Sequence, residues 1–398
     1  MKVIFITHPN FMKSKSMPLF ANMLKEMAQK EGIYEDTWCP KPVVYTAFFG
    51  EKVAKWLGYI DQYLIFPFLL YRRLSRIKTA TLFVFTDQAL GPWMPLFKKV
   101  PHVVHCHDLL ALRSALGQIS QNKTGLSGRI YQSLIKAGFQ KASHFICITE
   151  KTRSDLCQFG KIEKKNTSVV HNPLHYDFFP MAREIAAGEL EGKQIVESTQ
   201  SFLLHISAGQ WYKNLEGVIE LYNLYSSTVV NPLPLVMVIP NSNIVTSYLD
   251  AKGYDCDIRI HSNLSIETIH SLYSAASIFL FPSHQEGFGW PLIEAQACGC
   301  RVLTTTAPPM NEIAGDHSYY VDEVQNEDIH EWAKKNCHIL CKALNITGVD
   351  LEKERIKCLE WAKNFTKQKK FGEYLKVYDI EYKKQSNACM LGSKFNVR

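Results

Sequence analysis

The sequence predicts an α/β protein built from two Rossmann-like, doubly wound domains in series. Three observations carry that expectation. Short β-branched and aromatic runs alternate with longer segments of helical period, the rhythm of βαβ units and of parallel sheets covered on both faces. The rhythm pauses once, over residues 172–200, where the pattern is irregular and polar with Pro173 and Pro180, and then restarts. Finally, 398 residues with 46% hydrophobic content are enough for two cores of ordinary size.

Taken in order, the first domain offers five strands: KVIFITH (2–8), TLFVFT (81–86), HVVHCH (102–107), HFICIT (144–149) and TSVVHN (167–172). MPLFANMLKEMAQKEG and GRIYQSLIKAGFQKA have the helical period between them. The stretch 172–200 reads as an interdomain linker and lead-in. Five more strands follow: SFLLHISA (201–208), LPLVMVIP (233–240), DIRIHS (257–262), SIFLFPS (277–283) and RVLTTT (301–306). The expected boundaries are 1–175 for the first domain and 176–370 for the second. Residues 371–398 form a final helix followed by a flexible tail from 385. Two such domains leave a cleft at the carboxyl ends of their strands, where ligands bind.

Composition removes several classes. The net charge of +7, with 45 basic residues scattered among 38 acidic ones, suits anionic ligands or an anionic membrane surface and argues against nucleic acid. Eleven cysteines, an odd number at irregular spacing, and a start that reads as a buried strand point to a reducing cytoplasm. No run of eighteen apolar residues predicts a spanning helix. YLIFPFLLYRRL (63–74), interrupted by Pro67 and closed by Arg72 and Arg73, has two readings: a core-facing helix with a solvated end, or a peripheral contact with the inner face of a membrane. The oligomeric state is not legible.

The chemistry concentrates in SHQEGFGWPLIEAQACGC (283–300). A buried strand precedes a glycine-containing turn, Pro291 suits the first turn of a helix, and Gly299 is its stop. A helix start carries free N–H groups and partial positive charge, and Gly287 and Gly289 let the backbone approach an anion closely. Glu286 in the loop and Glu294 inside the helix would repel a phosphate they touched. They are better suited to accept hydrogen bonds from hydroxyls on either side of it. A nucleotide sugar has that layout, with ribose at one end, sugar at the other and a diphosphate between.

These residues resemble a known signature. Residues 282–316, PSHQEGFGWPLIEAQACGCRVLTTTAPPMNEIAGD, are similar to the donor site of retaining glycosyltransferases of the two-domain GT-B type, family 4. HISAGQWYKN (205–214), VVHCHDLLAL (103–112) and HFICITEKTRSDL resemble further segments of that family in the same order, and the likeness runs from about residue 100 to 378. It implies that the first domain binds the acceptor and the second the donor, with the final helix crossing back to the first. Glu294 then takes the ribose hydroxyls and Glu286 the donor sugar. Backbone N–H groups of Gly287, Phe288 and Gly289 face the sugar and diphosphate, Gly209 ends the adjoining strand, and Lys213 offsets charge on the leaving diphosphate. His107 supplies a polar contact near the reacting carbon, while Asp108 caps the next helix.

The resemblance implies a retaining, metal-independent transfer from a GDP- or UDP-sugar, with a mannosyl donor the leading guess, to a saccharide or lipid-linked saccharide in surface-glycan synthesis. It implies no cofactor. Two departures stand out. The loop after the first strand, HPNFMKSKSMPLF, lacks the usual glycines; Lys13, Ser14 and Ser16 serve as anion contacts or as a solvated turn and helix cap. Gln210 replaces a usual basic residue, for which Arg301 is one candidate substitute. Asp255 and Asp257, the cysteines at 298, 300, 337 and 341, and His105 with His107 each show only a fragment of a metal-ligand pattern, so no metal site is expected. A nucleotide-sugar-binding pseudoenzyme and a GT-B epimerase or phosphorylase are the alternatives.

Overall fold

The computed structural model describes residues 1–398 except 12–15, 47, 49, 78–80, 120, 325–327 and 396–398, with side chains also undescribed at 16, 51–52 and 388–395. Lys13, Ser14 and the Ser16 side chain therefore lie outside the described residues. The chain divides into two compact units, Met1–His175 with Lys367–Arg398, and Tyr176–Thr366.

The first unit holds a six-stranded sheet: β1 (Lys2–Ile6), β2 (Tyr34–Trp38), β3 (Thr81–Phe85), β4 (His102–Cys106), β5 (Phe145–Cys147) and β6 (Thr167–Val169), in the order β2-β1-β3-β4-β5-β6. Every pairing is parallel; β1 runs against β3 in unbroken register from Lys2–Thr81 to Ile6–Phe85. Alternate side chains fill two cores. Ile4, Ile6, Phe83 and Phe85 join Trp93 and Phe97 on one face, while Val3, Phe5, Leu82 and Val84 join Phe20 and Leu24 on the other. Burial on both faces is why these strands read as continuous apolar runs. The helix Lys367–Phe395 closes the second core with Phe371, Tyr374 and Tyr378.

The second unit repeats the plan with β7 (Leu203–Ile206), β8 (Leu235–Val238), β9 (Ile258–His261), β10 (Ile278–Phe281), β11 (Val302–Thr305) and β12 (Tyr319–Val321), in the order β12-β11-β10-β7-β8-β9, again all parallel. In this sheet the chain builds outward from β7 to β9 and then returns to lay β10 on β7's other side. Loops that leave the carboxyl ends of two such strands diverge and open a crevice. The first sheet reverses in the same way between β1 and β3.

Four expectations need correction. Each sheet has six strands rather than five, because β2 and β12 carry no continuous apolar run; both lie at sheet edges and are only partly buried. The stretch 172–200 is not all linker: it contains the helix Arg183–Gly192, whose Ala186, Ala187 and Leu190 are buried and whose Glu189 accepts from Ser271 Oγ at 2.6 Å. The tail from 385 continues as helix to Phe395. Arg301 lies at the amino end of β11, opposite the loops after β7 and β10, and donates to the carbonyls of Ala343 and Ser277. Parallel strands put it on the wrong edge to replace a cation near Gln210.

Candidate active site

In the second unit, β7 and β10 are the neighbours that flank the reversal, and the loops beyond them are tied together. The β7 loop runs through Gly209, which has φ +75°, into a short turn at Trp211–Lys213. Asn214 then takes a left-handed conformation, accepts from Gly217 N at 3.1 Å to start the helix Leu215–Thr228, and donates Nδ2–H to the carbonyl of Pro282 at 2.9 Å. His284 N donates to the Tyr212 carbonyl at 2.8 Å. Asn combines a helix-capping oxygen with tolerance of left-handed backbone, so one residue shapes its own loop and anchors the next.

Between these ties lies an ion pair. Lys213 Nζ is 2.7 Å from Glu286 Oε1, both side chains are largely buried, and the ammonium also sits 4.8 Å from the centre of the Phe281 ring. The loop continues through Gly287, the buried Phe288 and Gly289, whose φ of +94° only glycine adopts readily; a Cβ there would meet Leu292 Cδ1 at 3.1 Å. The helix Trp290–Ala297 starts next, with Pro291 in its first turn and Cys298 and Gly299 at its end. Glu294 projects from its second turn and accepts from Tyr273 O–H at 3.3 Å. Desolvation pushes its carboxyl up to about 7, against the opposing pull of Tyr273 and the Lys213 charge. Burial also holds the Tyr273 hydroxyl well above its ordinary value, so it stays a donor.

The structure thus brings Gly209, Lys213, Glu286, Gly287, Phe288, Gly289 and Glu294 onto the carboxyl edge of one sheet. Sequence reasoning assigned Lys213 and Glu286 separate tasks and did not foresee their pairing; it also passed over Tyr273 and the stapling role of Asn214.

His107 belongs to the first unit. It is buried just past β4 and its Nε2 lies 2.9 Å from the Thr86 carbonyl, which makes Nε2–H the donor. Burial lowers its pKa, partly opposed by Asp87 and the Thr86 carbonyl. Its Nδ1 is buried without a partner among the described residues. His105, on the same face, pairs with Tyr378 O–H at 2.7 Å, and Phe20 packs edge-on to both rings. Asp108 accepts from Leu110 N at 3.0 Å at the start of the helix Leu110–Ala115.

A pair that sequence reasoning missed stands at the reversal of the first sheet. His8, after β1, lies 2.8 Å from the carboxylate of Asp87, after β3. Burial alone would raise the Asp87 carboxyl, but His8, His107 and the Ala89 N–H outweigh it and hold it below its ordinary value. Both residues directly follow strands, the rule that picked out His107; that β1 and β3 are neighbours is what the sequence does not say. Asp257 is gripped by Arg259 at 3.0 and 2.9 Å.

Two parallel six-stranded doubly wound units, with a carboxylate, an ion pair and a glycine turn at the switch point of the second, define the GT-B class of glycosyltransferases. The family described as Glycosyltransferase Family 4 matches residues 38–178 and Glycosyl transferases group 1 matches residues 189–338; the chain belongs to these GT-B family 4 glycosyltransferases. Among similar proteins, an O-antigen chain mannosyltransferase B of Escherichia coli is 21% identical over 49% of this chain and 51% of its own length. An N,N'-diacetylbacillosaminyl-diphospho-undecaprenol alpha-1,3-N-acetylgalactosaminyltransferase of Campylobacter jejuni is 25% identical over 65% of each. The matches to the first curated relatives span about half their length. HepE of Anabaena, solved in complex with UDP, shares the fold with a TM-score of 0.66 at 12% identity, over 95% of this chain and 100% of that one.

Proposed function

We propose that this chain is a retaining glycosyltransferase that moves a sugar from a nucleoside-diphosphate sugar, GDP- or UDP-linked and of mannosyl type, to a saccharide or lipid-linked saccharide of a surface glycan. The observation that carries the reading is the grouping of Lys213, Glu286 and Glu294 around the glycine turn on the carboxyl edge of β7 and β10. Names of the relatives support the sugar and acceptor class, since those proteins are a mannosyltransferase and an N-acetylgalactosaminyltransferase acting on glycans.

In this reading Glu294, once ionised, accepts from the ribose hydroxyls, and Glu286 from hydroxyls of the donor sugar. N–H groups of Gly287, Phe288 and Gly289 face the sugar and diphosphate. Lys213, already desolvated and held in place by Glu286, stabilises the negative charge that develops on the leaving diphosphate. Backbone at residues 240–242 and 261–264, beyond β8 and β9, takes the base. The first unit binds the acceptor, and His107 offers its Nδ1 lone pair there as a polar contact. The anomeric bond to the diphosphate breaks as the acceptor oxygen bonds to the same face of that carbon, and the departing phosphate oxygen takes the acceptor's proton.

The test is a thermal-shift and turnover screen against UDP-, GDP- and ADP-sugars in EDTA, with Glu294→Ala beside the parent. Stabilisation by one donor, lost in the variant, together with release of its nucleoside diphosphate, is the expected result. Absence of any shift would overturn the donor-site reading, and a shift without turnover would favour a binding protein that lacks transferase activity.

A further inference from the structure

The amino edge of the second sheet carries a cavity that the transferase reading does not use. It has a volume of about 260 Å³ and lies at the starts of β10 and β11, on the opposite edge from the loops of the candidate active site. Arg183, Arg301 and Arg355 line it together with Gly299 and Thr347, and no carboxylate is among its lining residues. The three arginines come from separate elements: the start of the helix Arg183–Gly192, the residue before β11, and the middle of the helix Gly348–Ala362. Like charges gathered at one cavity repel one another, and an anion bound among them relieves that repulsion.

Arg301 is only 4% exposed. Its two Nη groups donate to the carbonyls of Ala343 and Ser277 and to Glu354, whose carboxylate also accepts from the Tyr319 hydroxyl at 2.7 and 2.8 Å. Its Nε–H is buried and has no partner among the described residues. A buried donor of that kind is costly until an acceptor reaches it. Arg183 stays exposed and gives one bond, to Ser201 Oγ at 2.9 Å. Desolvation, and then the Arg355 charge, lower its pKa. Among the described residues the one carboxylate within ion-pair distance of Arg355 is Glu352, at 3.7 Å and 65% exposed, a pair that water screens. The Arg355 guanidinium also lies against Gly299, where a Cβ would stand 3.6 Å from Nη2.

A helix start adds a further attraction. Thr347 caps the helix Gly348–Ala362 without a side-chain capping bond, so the partial positive charge of a 15-residue helix faces the same cavity. Glu354 offsets Arg301, which leaves Arg183 and Arg355 without a buried counter-charge. Two such cations suit a dianion. A phosphate monoester carries nearly that charge at neutral pH, and its oxygens match the donor fork of a guanidinium. The volume falls just below the range of drug-sized pockets, ~300–1,000 Å³, which fits a short ester rather than a nucleotide. Leu344, Ile346 and Leu351 supply an apolar wall for its carbon atoms.

We propose that this cavity binds a small phosphate monoester, its phosphoryl group held by Arg183 and Arg355, with Arg301 Nε–H and the start of the helix Gly348–Ala362 as further donors and its carbon portion against the apolar wall. Occupancy then ties the helices Arg183–Gly192 and Gly348–Ala362 to the amino edge of the sheet. The proposal is independent of the donor site.

The experiment is calorimetric titration and thermal denaturation of the full chain with glycerol 3-phosphate, glucose 6-phosphate and inorganic phosphate, against glycerol, glucose and sodium chloride at matched ionic strength. Expected is saturable binding of at least one ester, tighter than inorganic phosphate, with a thermal midpoint that rises with ester concentration and does not move with glycerol, glucose or chloride. Arg183→Gln combined with Arg355→Gln is expected to weaken that binding about tenfold or more. Both side chains reach solvent and the change removes like-charge repulsion, so the ligand-free midpoint of this variant should match or exceed the parent and exclude misfolding. Lys213→Ala, which alters the candidate donor site at the other edge of the sheet, should bind the ester like the parent. A parent chain that binds neither ester, esters that bind no more tightly than inorganic phosphate, binding that the double substitution leaves intact, or binding lost in Lys213→Ala each overturns the proposal.

Discussion

Glu294 has an ordinary carboxyl value of 4.5 raised to about 7 in the folded chain, so the folded state holds this proton more tightly than the unfolded state does. The cost of ionising it is absent below pH 4.5, grows as pH rises, and is complete above 7. Glu294→Gln should therefore be more stable than the parent at about pH 8, by roughly 1–3 kcal/mol, with the gain fading towards about pH 4. Denaturation at the two pH values checks this, and an equal gain at both would contradict it. Donor affinity of the parent should move the other way, tightening from about pH 6 to about pH 8 as the acceptor carboxylate forms. Lys213→Ala leaves Glu286 largely buried without its cation. It is expected to cost about 1–3 kcal/mol of stability and to lower kcat about 100-fold or more with a smaller change in KM, as steady-state kinetics would read. The candidate site was only partly legible: residue types and spacing pick out Glu286, Glu294 and Lys213, but the 2.7 Å contact between two of them joins loops 73 positions apart.

At the scale of elements, the site depends on two backbone conformations that ordinary residues avoid. Asn214→Ala removes the cap of Leu215–Thr228 and the bond to Pro282 while keeping φ at +53°. A loss of about 1–3 kcal/mol is expected, and Asn214→Gly, which relieves only the strain, should recover a minor part in thermal denaturation. Gly289→Ala strains a φ of +94° and presses on Leu292, so turnover should fall more than the melting temperature as the N–H groups of the turn shift. Elements buried on both faces were readable as apolar runs. β2 and β12 were not: YEDTW is largely polar and YYV is only three residues long, so each looks like turn or loop until a neighbouring strand receives it, whereas the other two edge strands, β6 and β9, were legible.

For the whole molecule, the informative feature is that the helix Lys367–Phe395 belongs to the first unit. Phe371, Tyr374 and Tyr378 belong to the core beside β1, β3 and β4, Tyr378 O–H pairs with the buried His105, and Gln385 exchanges two bonds with the backbone of His102, at 2.9 and 3.0 Å. Ending the chain after Thr366 should expose that core and leave the first unit without cooperative unfolding, whereas ending it after Asn387 should shift the melting temperature little. Calorimetry of both truncations would check this, and a cooperative first unit in the shorter chain would refute it. Tyr378→Phe should cost about 1–3 kcal/mol by leaving His105 without its partner.

What the sequence determined by itself was everything carried by local pattern: ten of the twelve strands, the pause between two α/β halves, and a glycine turn flanked by carboxylates after a buried strand. Periodicity and turn chemistry are written in consecutive residues, so they survive without knowledge of the fold. Only the tertiary structure decided which strands are neighbours. That choice pairs Lys213 with Glu286 and His8 with Asp87, moves Arg301 to the far edge, and raises the Glu294 carboxyl, because distance and desolvation between remote segments exist only once the sheets have formed.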